Sequence, residues 1–228
     1  MTIRATYHPK PLFEERMKKL ILDYDKFMEY VRKDPPSSIR CNTIKISIEE
    51  LKARLEVKGW EIEQLRDYPQ AMLIKSNLQP GELGRSIEHV LGYYYVQDVS
   101  SMLPIIALTP KESEAFLDLT ASPGSKTTQA VMHMNNKGLI IANDSKLQRI
   151  APLVSNLEKT GALNTIVTRH DAVQLCRKFQ SAGIRFVKNK NDKKFIKTPK
   201  ANCIKRIFFI KTTRRNGLFN MHPCARRK

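Results

Sequence analysis

The chain has 228 residues, 41% of them hydrophobic, and a formal net charge of +18 at pH 7. That length can bury one full domain and a smaller one. Cys41, Cys176, Cys203 and Cys224 form no CxxC or Cys/His cluster, which argues against a disulfide framework and a metal site, and no run approaches 18 apolar residues. With no apolar signal core in "MTIRATYHPK", the expectation is a cytoplasmic protein without a membrane span.

In chain order, "PLFEERMKKLILDYDKFMEYVRK" carries apolar residues near helical spacing and stops at Pro35-Pro36. "SIRCNTIKI" alternates like a strand. Ser47 opens "SIEE", a capping box with Glu50, and a helix through about Val57 that Lys58-Gly59 ends. "WEIEQL" and "AMLIKS" read as two more strands, so residues 1–90 form a small α+β domain, for which pattern alone leaves a purely structural and a functional role both open. "LGYYYVQDVSSMLPIIAL" then joins it to the next unit, its tyrosines read as core packing ahead of base stacking.

From Glu114 the order becomes strand, loop, helix, strand, helix, strand: "AFLDL", "KTTQAVMHM", "LIIAND", "SKLQRIAPLVSNLEKTG" stopped by Gly161, and "NTIVTRHDA". Alternation at this spacing predicts an α/β fold with a parallel sheet, where ligands bind at the carboxyl ends of the strands. The small-residue loop "TASPGSK", Thr120 to Lys126, follows the first strand and lets the backbone approach a ligand, while the next helix offers unpaired amides to an anion. Asp144 ends the second strand, placed to accept ribose hydroxyls, and Asp171 follows the third, placed to accept from an adenine amino group. Helix caps and turn residues are the plainer alternative for all three features.

"DLTASPGSKTTQ" resembles the S-adenosyl-L-methionine (SAM) motif "DxxAxPGGKT" of the Nop/Sun family of RNA cytosine-5 methyltransferases. "YYVQDVSSMLP" resembles the segment preceding it there, and "SIRCNTIKIS" the family's "SxRVNTLK" element. The resemblance covers roughly residues 36 to 174. It implies a Rossmann-like SAM-dependent methyltransferase fold, here incomplete, occupying residues 91–174 behind an RNA-binding-type domain at 1–90. It also implies a tRNA or rRNA substrate, and SAM held by Thr120, Ala121, Ser122, Pro123, Gly124, Ser125 and Lys126, with Asp144 on the ribose and Asp171 near the adenine. Ser125 replaces the usual second glycine. Oligomeric state is not readable, and the other readings are a different SAM-dependent methyltransferase or a non-catalytic RNA-binding protein with a basic arm.

The chemistry implied by the resemblance is covalent: a cysteine thiolate adds to C6 of cytosine and makes C5 a nucleophile for the methyl group. The motifs expected to carry it, "DAPCSG" and "STCT", are absent, so no catalytic residue is assigned. Residues 175–228 hold 17 Lys+Arg against the single acid Asp192, whereas the preceding residues hold 23 bases and 21 acids. Lys, Asn, Ile and Phe supply 26 of those 54 residues, with no persistent helical or strand period and with Ile207, Phe208, Phe209 and Ile210 expected to lack packing partners. This composition suits an A/T-rich gene read out of frame after Gln174. "GLFNMHPCARRK" can be encoded so that a one-nucleotide shift reads "VYSTCTLAPEE". There the ATG of Met221 followed by the CA of His222 forces TGC, a cysteine codon, in the middle of "STCT".

Overall fold

A computed structural model describes residues 9–33 and 36–181, together with the backbone of 207–210. The chain divides into two compact units, Met1–Ser37 and Ser38–Lys228.

The first unit holds α1 (Pro11–Leu20) and α2 (Tyr24–Arg32). One helical period runs through this stretch in the sequence, yet the helix breaks at Ile21–Asp23. Asp23 caps α2 by accepting from the Lys26 amide at 3.0 Å, a local bond that competes with continuing the helix.

The second unit begins with an antiparallel sheet of order β2-β3-β1-β4, from β1 (Ser38–Cys41), β2 (Ile62–Gln64), β3 (Ala71–Ile74) and β4 (Tyr94–Val96). Between β1 and β2 lies α3 (Ile48–Val57), capped by Ser47, which accepts from the Glu50 amide at 3.1 Å. The reciprocal half of the capping box is replaced: the Glu50 carboxylate pairs with Arg54 one turn on. Two short helices, α4 (Glu82–Arg85) and α5 (Ile87–Val90), precede β4. Ile39, Cys41, Leu51, Leu55, Trp60, Met72, Ile74 and Tyr94 close this sheet's core. The tyrosines are packing residues: Tyr94 is fully buried and donates to the Leu83 carbonyl at 2.7 Å. Because β4 pairs with β1, this sheet runs past residue 90, to Val96.

After α6 (Val99–Leu108) comes the second sheet, of order β7-β6-β5-β8. Its strands β5 (Ala115–Asp118), β6 (Leu139–Asn143) and β7 (Thr165–Thr168) are parallel, with Phe116 opposite Ile140 and Ile141 opposite Ile166. Helices α7 (Ser125–His133) and α8 (Leu147–Thr160) make the crossovers, and α9 (Ala172–Ser181) follows β7. Period-two alternation sorts the strand residues between faces. Phe116 and Ile140 pack with Ala130 and Val131 of α7, and Ala142 with Leu153 and Leu157 of α8. Leu117 and Ile141 pack with Leu175 of α9. Both faces are thus covered, which explains why "LIIAND" reads as a continuous apolar run.

Two expectations are corrected. Residues 175–181, expected to lack a helical period, are most of α9, and Leu175 is 4% exposed. The segment expected to lack packing partners, read as having no strand period, has its backbone in β8 (Ile207–Ile210), antiparallel to β5. Apolar residues at helical spacing (Leu175, Cys176, Phe179) and a run of four consecutive ones (207–210) suit a helix and a strand even in a strongly basic stretch. The other tail residues, with Cys203, Met221 and Cys224, lie outside the described residues.

Candidate functional site

The carboxyl ends of β5, β6 and β7 are tied together by one side chain. Asn143, fully buried, donates through Nδ2 to the Leu119 carbonyl at 3.1 Å and the His170 carbonyl at 2.9 Å. Its Oδ1 accepts from Thr168 Oγ1 at 3.0 Å and the His170 amide at 2.9 Å. A primary amide makes four such bonds only where all its neighbours converge.

Within this frame the loop from Thr120 to Gly124 is fixed by its backbone. The Thr120 amide donates to Asp118 Oδ1 at 3.2 Å, and the Ala121 amide donates to the Asn143 carbonyl at 2.8 Å. Gly124 turns the chain into α7 at φ 106°, where a Cβ would stand 3.2 Å from Leu153 Cδ1. A glycine answers both the backbone conformation and the close approach. Side chains take the carbonyls of the loop and of the first residue of α7. Arg149 Nη2 donates to Ser122 O at 2.6 Å, Asn156 Nδ2 to Pro123 O at 2.8 Å, and Arg40 Nη1 to Ser125 O at 2.8 Å.

A cavity of about 370 Å³ opens beside this loop, lined by Thr120, Asp144, Ser145, Lys146 and Arg149, within the usual size range of small-molecule sites. Asp144 is 4% exposed, accepts from the Lys146 amide at 3.2 Å and pairs with Arg149 Nε at 3.3 Å. Asp118, behind the loop, is buried and accepts from Thr127 Oγ1 at 2.8 Å. Burial pushes its carboxyl above the ordinary value of 3.8, against the pull of Thr127, the Thr120 amide and Lys126.

The sequence-derived site residues therefore separate. Thr120 and Asp144 line the cavity, and Ala121 through Ser125 shape the turn beside it. Lys126 sends its Nζ to Ser101 Oγ at 3.1 Å, toward α6. Asp171 is exposed, is not among the lining residues, and caps α9 by accepting from the Val173 and Gln174 amides, each at 3.0 Å.

A family model described as 16S rRNA methyltransferase RsmB/F matches residues 105–212, and one for the N-terminal domain of 16S rRNA methyltransferase RsmF matches residues 9–99. Ribosomal RNA small subunit methyltransferase F of Vibrio atlanticus (strain LGP32) is 38% identical over 152 residues, 66% of this chain and 32% of that protein. The tRNA (cytosine(49)-C(5))-methyltransferase of Pyrococcus abyssi (strain GE5 / Orsay) is 41% identical over 175 residues, 74% of this chain and 55% of that protein. The chain belongs to the Nop/Sun family of SAM-dependent RNA cytosine-5 methyltransferases. Among solved structures, a methyltransferase homolog from Pyrococcus horikoshii superposes with a TM-score of 0.61 at 26% identity, over 75% of this chain and 60% of that one. The fold is accordingly the Rossmann-like methyltransferase fold behind an α+β domain. The chain spans about a third of the length of the rRNA enzymes it matches.

For a Nop/Sun chain, Ser145, Lys146 and Arg149 are the cavity residues that sequence reading missed. The available signal was their position one, two and five residues after Asp144, at the start of the helix leaving the same strand end. Asn143 was missed as well, although a polar residue closing an apolar strand is itself a signal. Cys41 lies fully buried in the first core, where burial pushes its thiol up to about 12, the setting of a structural cysteine. Cys176 is half-buried on α9 with its thiol likewise raised by burial. Among the described residues no group of three His, Cys, Asp or Glu side chains gathers as metal ligands do, and no helix is long and apolar enough to cross a membrane.

Proposed function

We propose that the protein transfers a methyl group from SAM to C5 of cytosine in tRNA or rRNA, in the cytoplasm, and that β5 to β7 with their loops supply its cofactor-binding part. The observation that carries the reading is the cavity at the strand ends with the nearly buried Asp144 carboxylate in its wall. These residues fit the cofactor. Asp144 would accept the ribose hydroxyls, and the first-turn amides of α7, which the turn at Gly124 leads into, suit the carboxylate of the amino-acid part. Asp171 would meet the adenine amino group with the oxygen that does not cap α9. SAM supplies an electrophilic methyl group. The loop and Asp144 would orient it.

The nucleophile is read to lie in the shifted frame of the tail, downstream of α9. Expressed as written, the chain should form no 5-methylcytosine in RNA. Restoring the frame should restore methylation, and replacing the recovered cysteine, whose codon overlaps Met221, by alanine should abolish it. Methylation by the chain as written, unaffected by replacing Met221, would overturn this reading.

A further inference from the structure

Arg40 is 1% exposed, and no carboxylate is among its bonded partners. Projecting from β1, it donates through Nη1 to Gln97 Oε1 and to the Ser125 carbonyl at 2.8 Å, and through Nη2 to Thr128 Oγ1 at 2.9 Å. Its guanidinium lies 5.4 Å from the Tyr95 ring centroid, and its Nε has no hydrogen-bond partner. Burying a cation without a bonded anion costs several kcal/mol, and burial lowers the guanidinium to about 10, which leaves it charged at neutral pH. An arrangement that costly calls for a partner of opposite charge nearby, in a bound state.

The bond to Ser125 says where. Ser125 opens α7, and the planar trans peptide sets the Lys126 N–H opposite the Ser125 carbonyl. Holding that carbonyl from the first sheet therefore fixes the aim of the Lys126 amide, one of the first-turn donors without an intrahelical acceptor. The same guanidinium grips Thr128, whose hydroxyl also donates to the Gly124 carbonyl at 2.8 Å, so the two adjacent carbonyls of Gly124 and Ser125 are both held.

We propose that Arg40 is a positioning residue for the cofactor's carboxylate: from the first sheet it sets the loop amides and adds positive charge behind them. The proposal rests on the SAM-site reading above and deepens it. It makes the first sheet part of the cofactor site, and it predicts selective recognition of the amino-acid end of the ligand over the nucleoside end.

The test is calorimetric titration of the full chain with S-adenosylhomocysteine, which carries the carboxylate, and with 5′-methylthioadenosine, which lacks the amino-acid part. Arg40→Met should weaken the first by roughly ten-fold or more and the second by no more than about three-fold. Arg40→Lys, which keeps the charge without the two-pronged grip, should fall between. Should Arg40→Met fail to fold, judged by circular dichroism, Thr128→Val removes one gripped group alone and should show the same selectivity at smaller size. Equal weakening of both ligands, or no weakening of the first, overturns the proposal. An unsubstituted chain that binds neither ligand overturns the SAM site itself, and this inference with it.

Discussion

The two sheets of the second unit each bury a carboxylate, and they treat it in opposite ways. Beside the antiparallel sheet, Glu88 is 2% exposed and accepts from the Lys58 ammonium and from Ser86 Oγ at 2.7 Å. Burial is the largest single influence and pushes it up, but the Lys58 and Ser86 bonds outweigh it and hold Glu88 below its ordinary 4.5. In the parallel sheet, Asp118 is equally buried, but its bonded partners are a hydroxyl and an amide, and it is held above 3.8. Beside the first sheet the buried carboxylate has its cation within bonding distance. The second leaves charge at its carboxyl end, as expected where a ligand is to supply part of the balance.

Truncating the apolar core of the first sheet should have the largest effect on stability and the smallest on binding. Leu55→Ala is expected to cost about 2–5 kcal/mol, read from urea denaturation, while the folded fraction keeps its affinity for S-adenosylhomocysteine. A comparable loss of affinity would break the division between the regions. Asn143→Ala should come next. Losing bonds to three strand ends is expected to cost about 2–4 kcal/mol, and here affinity should fall with stability, because the cavity wall is built on those ends.

The two carboxylates predict opposite pH responses. A group raised in the fold contributes stability as pH falls through its folded value toward the unfolded one. Asp118→Asn should therefore be most stabilising, relative to the unsubstituted chain, at neutral pH, and the difference should shrink toward pH 3.8. Glu88, lowered in the fold, contributes stability above pH 4.5 that is lost as pH falls through its folded value. Glu88→Gln should accordingly destabilise at pH 7, with the deficit closing in acid. Urea midpoints at pH 7 and pH 4 check both, and parallel behaviour would contradict the contrast. The smallest effect belongs to the exposed Glu50–Arg54 pair of α3. Glu50→Gln should cost about 0.3–0.5 kcal/mol in a thermal melt and vanish at high salt.

Much of this architecture was legible in the sequence because it follows from periodicity and caps. "AFLDL" and "LIIAND" became β5 and β6, Ser47 opens its helix and Gly161 closes its own as read, and the strand-end acid Asp144 stands in a cavity wall. Periodicity reports which face is buried, and it cannot report which distant group a polar side chain meets. For that reason the Asn143 clasp and the Arg40 bonds across 85 and 88 residues of sequence were not legible, whereas the capping role of Asp171 was among the readings that the sequence offered. Nor was the break at Asp23, where a short-range cap overrode a period that ran straight through it.

The cofactor site is tested most directly by titrating SAM into the unsubstituted chain and into Asp144→Ala. Removing the bonds that Asp144 would make to the ribose should weaken binding by about 1.5–3 kcal/mol, roughly ten-fold to 150-fold. Arg149, the partner of Asp144, is half-exposed and also holds the Ser122 carbonyl, so it keeps a bond in the variant's expected structure. An Asp144→Ala chain that binds SAM as tightly as the unsubstituted one would contradict the account, because the carboxylate at the end of β6 would then have no part in holding the cofactor.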